Sequence, residues 1–120
     1  MTSENPYLRR QQHRIGKSGT KSEKRLSKDL GARLRPASGA MEGAKGDMTL
    51  GECLIEAKST INATIGLKHS WLSKIGTEAR SEGKTPALIV SFITPDGTPI
   101  IDGEWALIPL HKFKELSDGD

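Results

Sequence analysis

The sequence predicts an α/β fold, a sandwich with a central mixed five-stranded sheet flanked by helices. Three observations lead there. The predicted elements run helix, three strands, helix, two strands, an order that fits helical layers packed around one sheet. PALIVSFI, residues 86–93, is continuously apolar and rich in branched side chains, as a strand covered on both faces should be. Leu67, Trp71, Ile75 and Ala79 recur every four residues, the stripe of an amphipathic helix. At 120 residues the chain is long enough for one domain with a single modest core.

Each element has its own signals. In TKSEKRLSKDLG, Thr20 and Glu23 have capping-box spacing, Leu26 and Leu30 share one helical stripe and Gly31 can close the end, so the first helix covers 21–30. ARLR suggests a short strand from Ala32 to Arg35, followed by a Pro36-Ala37-Ser38-Gly39 turn and the glycine-rich loop MEGAKG. A second strand spans Asp47 to Leu50 and a third Cys53 to Lys58, after which the Leu67 stripe places a helix over 65–82, stopped by Gly83. On this stripe Trp71 reads as core rather than as a base-stacking platform. TPDGTP turns the chain after PALIVSFI, a last strand covers Glu104 to Leu110, and a short helical segment runs from His111 to Leu116. Residues 1–20, poor in apolar side chains and rich in arginine, read as a flexible basic arm, which leaves 21–120 as the domain.

Composition excludes several classes. With 28% charged residues and no apolar run near the ~20 residues of a bilayer-spanning helix, a membrane protein is not expected. The polar start lacks the apolar segment of a secretory leader, so the expected location is the cytoplasm. Cys53 is the only cysteine, which rules out an internal disulfide or a cysteine-built zinc site, and its apolar neighbours make it a core residue rather than a nucleophile. His13, His69 and His111 are scattered without ligand or triad spacing. The net charge of +3 is gathered toward the first 28 residues, where eight basic side chains face only Glu4 and Glu23. Such a bias suits a phosphate-rich partner, though a merely solubilising tail has the same composition.

GDMTLGECLIEAK, residues 46–58, is where chemistry concentrates. If Leu50 and Gly51 form the tip of a tight hairpin, Asp47 faces Leu54 across the pair and Glu56 is its diagonal neighbour on the same face, about 7 Å away. Lys58 shares that face by the two-residue period of a strand. Two carboxylates and an ammonium held half-buried together are costly unless they pair with one another or with a metal. Magnesium held by Asp47 and Glu56 would polarise a phosphoryl oxygen and acidify a bound water, while Lys58 orients that water or offsets charge growing on phosphorus. An ordinary Glu/Lys pair on the solvent face of an edge strand fits the E-x-K spacing equally well.

The series Glu23, Arg35, Ser38-Gly39, Asp47, Glu56, Lys58 resembles the PD-(D/E)xK nuclease superfamily, and within it the small Holliday-junction resolvases of archaea and some phages. The resemblance runs from Lys21 to Lys58 in motif detail and to Leu110 in element order, about three quarters of the chain. It implies a restriction-endonuclease-like sandwich, a homodimer and a magnesium-dependent endonuclease of DNA recombination and repair, with manganese as the alternative ion. By the same resemblance Asp47, Glu56 and the Ala57 carbonyl are the metal ligands, Lys58 is the catalytic lysine, Glu23 approaches from the first helix, and Ser38 lies at the rim near the scissile phosphate. Lys24 and Arg35 match positions that contact the DNA backbone. Glu23 has a rival reading as the capping-box partner of Thr20, and Ser38 as a turn residue. Gly46 stands where the superfamily has the proline of its name, and the literal Pro95-Asp96 is a decoy in a turn with no E-x-K behind it.

Around this site Lys24, Arg33, Arg35, Lys45, Lys68 and Lys74 are the candidate DNA-binding residues, engaging phosphates with little means of reading bases. That favours branched four-way junctions, whose two-fold symmetry a dimer matches, with the apolar EWALIPL as its contact surface. Two alternatives stay open: another nuclease of the superfamily acting on flaps, mismatches or restriction-type sites, and a nucleic-acid-binding protein without catalysis.

Overall fold

The computed structural model describes residues 21–35 and 46–119. Its elements are α1 (21–30), β1 (Arg33–Leu34), β2 (Met48–Leu50), β3 (Cys53–Thr60), α2 (His69–Ser81), β4 (Thr85–Ile93), β5 (Pro99–Leu107) and α3 (Leu110–Asp118). The five strands form one sheet in the order β1-β2-β3-β4-β5. β3 and β4 pair in parallel across the α2 crossover and all other neighbours are antiparallel, so the sheet is mixed. The predicted order of elements matches. Among the described residues no helix is long and apolar enough to cross a membrane.

Strand alternation divides the core in two. On one face Leu26 of α1 packs with Met48, Ile55, Ala87 and Ile89, with Cys53 and Ala57 against them. On the other, Leu54 packs with Ile75 and Ala79 of α2. β4 is buried from Ala87 to Ser91, as its unbroken apolar run anticipates. Cys53 serves as packing, as its neighbours suggest.

Several boundaries move. Helix α2 begins at His69 rather than at 65, and Leu67 is 50% exposed. Ile65 and Gly66 are poor helix formers, and they keep Leu67 off the stripe that Ile75 and Ala79 bury. β3 runs on to Thr60, two residues beyond Lys58, because the parallel ladder with β4 continues to Phe92. The last strand starts at Pro99 and stops at Leu107, since Pro109 caps the chain for α3. Between Ser91 and Ile93 the β4–β5 register shifts, and the extra β5 residues include Asp102 at φ 56°. Gly103 follows, where a Cβ would lie 2.7 Å from the Phe92 carbonyl oxygen. The basic arm, the Thr20 end of the capping box, the 36–39 turn and the MEGAKG loop up to Lys45 lie outside the described residues, as do Ser38 and Lys45 themselves.

Candidate active site

β2 and β3 form a hairpin whose register differs from the sequence-based one by two residues. Leu50 pairs with Cys53, Thr49 with Leu54 and Met48 with Ile55, so the loop is Gly51-Glu52 rather than Leu50-Gly51. Gly51 has φ 57°, the left-handed value that a two-residue hairpin loop needs at its first position. Continued by one residue, this register sets Asp47 across from Glu56, not from Leu54. A slip of two keeps the face of every side chain, whereas a slip of one would have separated the two acids.

Beyond Met48 the ladder gives way. The Asp47 N–H donates to the Ile55 carbonyl at 2.8 Å, and Oδ2 of Asp47 accepts the Ala57 N–H at 2.7 Å. The carboxylate therefore occupies the edge position where β2 would otherwise have continued, held by the backbone of the E-x-K strand itself. The Ala57 carbonyl lies on the same edge of β3 as its N–H and faces past the end of β2 as well.

Gly46 holds a position that proline could not fill. Its φ is 68°, which proline cannot adopt, and a Cβ there would fall 2.7 Å from Leu54 Cδ1. Its N–H, which proline lacks, donates to Glu78 Oε1 on α2 at 2.9 Å. Glycine thus lets the chain turn into Asp47 and ties that turn to the crossover helix.

Glu56 and Lys58 project from β3 onto the α2 side, joined at 3.5 Å. Lys58 Nζ also lies 4.8 Å from the centroid of Trp71, and Lys68 Nζ lies 5.9 Å from it. Trp71 is therefore a half-buried platform for two ammonium groups, not the core residue its place on the stripe suggests. Lys74 is 3.7 Å from Glu78 and its charge reaches Glu56.

Glu23 enters from α1. Burial, then the charges of Asp47 and Glu56, push its carboxyl up to about 7, with Lys58 pulling the other way. Glu56 is raised as well, by burial and by Asp47, against the pull of Lys74 and Lys58. Three acids thus crowd the end of β2 with Lys58 and Lys74 as the nearby cations, and this like-charge crowding suits a divalent ion. Among the described residues no group of three or more His, Cys, Asp or Glu is arranged to hold a metal alone. The fit is instead to two carboxylates, Asp47 and Glu56, with the Ala57 carbonyl, a donor set of the size magnesium takes when water fills its remaining positions.

The basic candidates divide. Lys24 and Arg33 are exposed, and Lys68 and Lys74 line the α2 side of the cluster. Arg35, just past β1, is bonded to Glu82 at the end of α2, so its predicted phosphate contact would compete with that ion pair. Sequence patterns missed Glu78, Trp71 and Glu82. Glu78 and Trp71 lie on helical positions three or four residues from Lys74, a spacing that links them to the site only once α2 is laid against β3. Pro95-Asp96 sits in the β4–β5 turn, where Asp96 accepts the Thr94 hydroxyl and the Thr98 N–H, so it is a turn residue. No protein-family model matches the chain, and neither curated proteins nor solved structures include one significantly similar to it.

Proposed function

We propose that the protein is a metal-dependent DNA endonuclease of the PD-(D/E)xK type that acts on four-way junctions. The observation that carries this reading is the meeting of Asp47, Glu56 and Lys58, with Glu23, at the point where β2 ends. Pure binding of nucleic acid has no use for acids beside phosphate, whereas hydrolysis of a phosphodiester does. Magnesium bound there would supply Lewis acidity toward a phosphoryl oxygen. Asp47 and Glu56 would hold the ion, and Lys58, braced by Trp71, would place a cation where charge accumulates on the phosphoryl oxygens. Glu23, poised near neutrality, holds or passes a proton beside the scissile bond.

The restriction-endonuclease-like form of the sandwich and a two-fold dimer belong to the same proposal. Ile101, Trp105, Leu110 and Phe113 are exposed on β5 and α3. They supply the apolar surface on which two copies would meet, extending the EWALIPL reading to the last helix.

The test compares a mobile four-way junction, a flap and a linear duplex of the same sequence with magnesium present. Paired nicks in the junction at rates well above the other two are expected, and Asp47→Asn should abolish them while retaining junction binding. Preference for the flap moves the substrate and keeps the chemistry. Equal cleavage by variant and wild type removes the enzymatic reading.

A further inference from the structure

A second cationic site lies away from the carboxylate cluster. Between the C-terminal half of α2 and the start of α3 runs a groove of about 540 Å³, walled by Arg80, Lys84, His111 and Lys112, with Glu52 as the one acid among its described walls. Arg80 donates to Thr77 Oγ1 at 3.3 Å, and among the described residues neither it nor Lys84 has a carboxylate partner. Lys112 leans on Glu115 at 3.4 Å across open surface.

The N-terminal end of α3 adds to the imbalance. Its first turn carries no acidic residue and contains Lys112, with the His111 ring beside it, so an ammonium stands at the positive end of a helix dipole. Cations are disfavoured there unless an anion joins them. Groove, unpaired cations and helix end together call for a tetrahedral oxyanion.

We infer that this groove binds a phosphate group, and that the phosphate is one of a nucleic-acid backbone reaching the carboxylate cluster. The second clause rests on the function proposed above. Leu72, Gly76 and Arg80 line the groove on one side of α2, and Trp71, Lys74 and Glu78 face the cluster on the other, so the two sites flank one helix about 10–12 Å across. A duplex carries one charge for every 1.7 Å or so of its axis, so DNA that lies across α2 from the cluster has phosphates at the groove too. A free phosphate or nucleotide has the same recognition chemistry.

The experiment uses the full chain in EDTA, so binding is read whether or not the protein cleaves. Arg80→Gln combined with Lys84→Gln should weaken junction binding on the order of tenfold near 0.1 M salt, and flatten the slope of log K against log salt by about one for each phosphate no longer neutralised. The His111 ring signals in NMR, followed during titration with inorganic phosphate, form the second arm. A shift on phosphate in a protein that binds no DNA keeps the groove as a site for free phosphate and removes only its link to the proposed function. Unchanged affinity and slope in the double variant, together with His111 signals that phosphate leaves in place, overturn the inference. Magnesium-dependent cleavage by the wild type, scored separately, reports on the nuclease reading alone.

Discussion

Two half-buried carboxylate sites at different places on one sheet are handled in opposite ways. On the β4–β5 side Glu104 meets Arg25 of α1 through Nη2 at 2.5 Å and Nη1 at 3.3 Å, and accepts the Ser91 hydroxyl at 2.7 Å. That carboxylate has a cation and a hydroxyl arranged around it, and it pins α1 to the far edge of the sheet. At the end of β2, Glu23, Asp47 and Glu56 lie close enough to raise two of the three carboxyls. A fold gains nothing in stability by keeping like charges together, so the second arrangement is the candidate site whereas the first is a joint.

Breaking each in turn should give mirrored results, and these are the largest effects expected. Asp47→Asn should lower magnesium-dependent cleavage about a hundredfold or more, yet cost no more than about 1 kcal/mol in urea, because the asparagine side-chain oxygen can still accept the Ala57 N–H. Glu104→Ala should do the reverse, losing about 1–3 kcal/mol because the Ser91 hydroxyl and Arg25 Nη2 lose their acceptor and Arg25 keeps only Asp29, at 2.7 Å on its own helix, while the cleavage rate per folded molecule stays near wild type. Arg25 already has one buried N–H, at Nε, without a partner, and the loss of Glu104 would add Nη2 to it.

Next in size is a pH dependence carried by Glu23. Its carboxyl titrates at about 7 in the fold against 4.5 for the free group, so between these values the folded state binds a proton that the unfolded state has released. Stability conferred below 4.5 is therefore lost as pH rises toward 7. Melting temperatures of the wild type should fall across that interval, and Glu23→Gln should flatten the curve. Because glutamine can still serve a capping box, a fall in cleavage by the same variant at undiminished stability assigns Glu23 to the chemistry.

The smallest effect sharpens the comparison at one contact. Trp71→Leu removes the face over which Lys58 sits at 4.8 Å. With about 0.5–1 kcal/mol in such a contact, a two- to fivefold fall in single-turnover cleavage is expected, with binding changed less. An unchanged rate would make Trp71 a packing residue after all.

Much of this protein is legible in its sequence. Order and type of elements followed from PALIVSFI, the helical stripe and the glycines, because apolar periodicity and turn chemistry are local properties. Asp47, Glu56 and Lys58 stood out for the same reason: charge in an apolar strand is anomalous wherever that strand goes. Tertiary structure alone decided the two-residue register at Gly51-Glu52, the Asp47 clasp on the Ala57 amide, and the part Gly46 plays against Leu54 and Glu78. It also moved Trp71 from core to platform and brought Arg80, Lys84, His111 and Lys112 to one groove. These depend on residues far apart in the chain meeting in space, and a linear pattern of hydrophobicity carries no term for that distance.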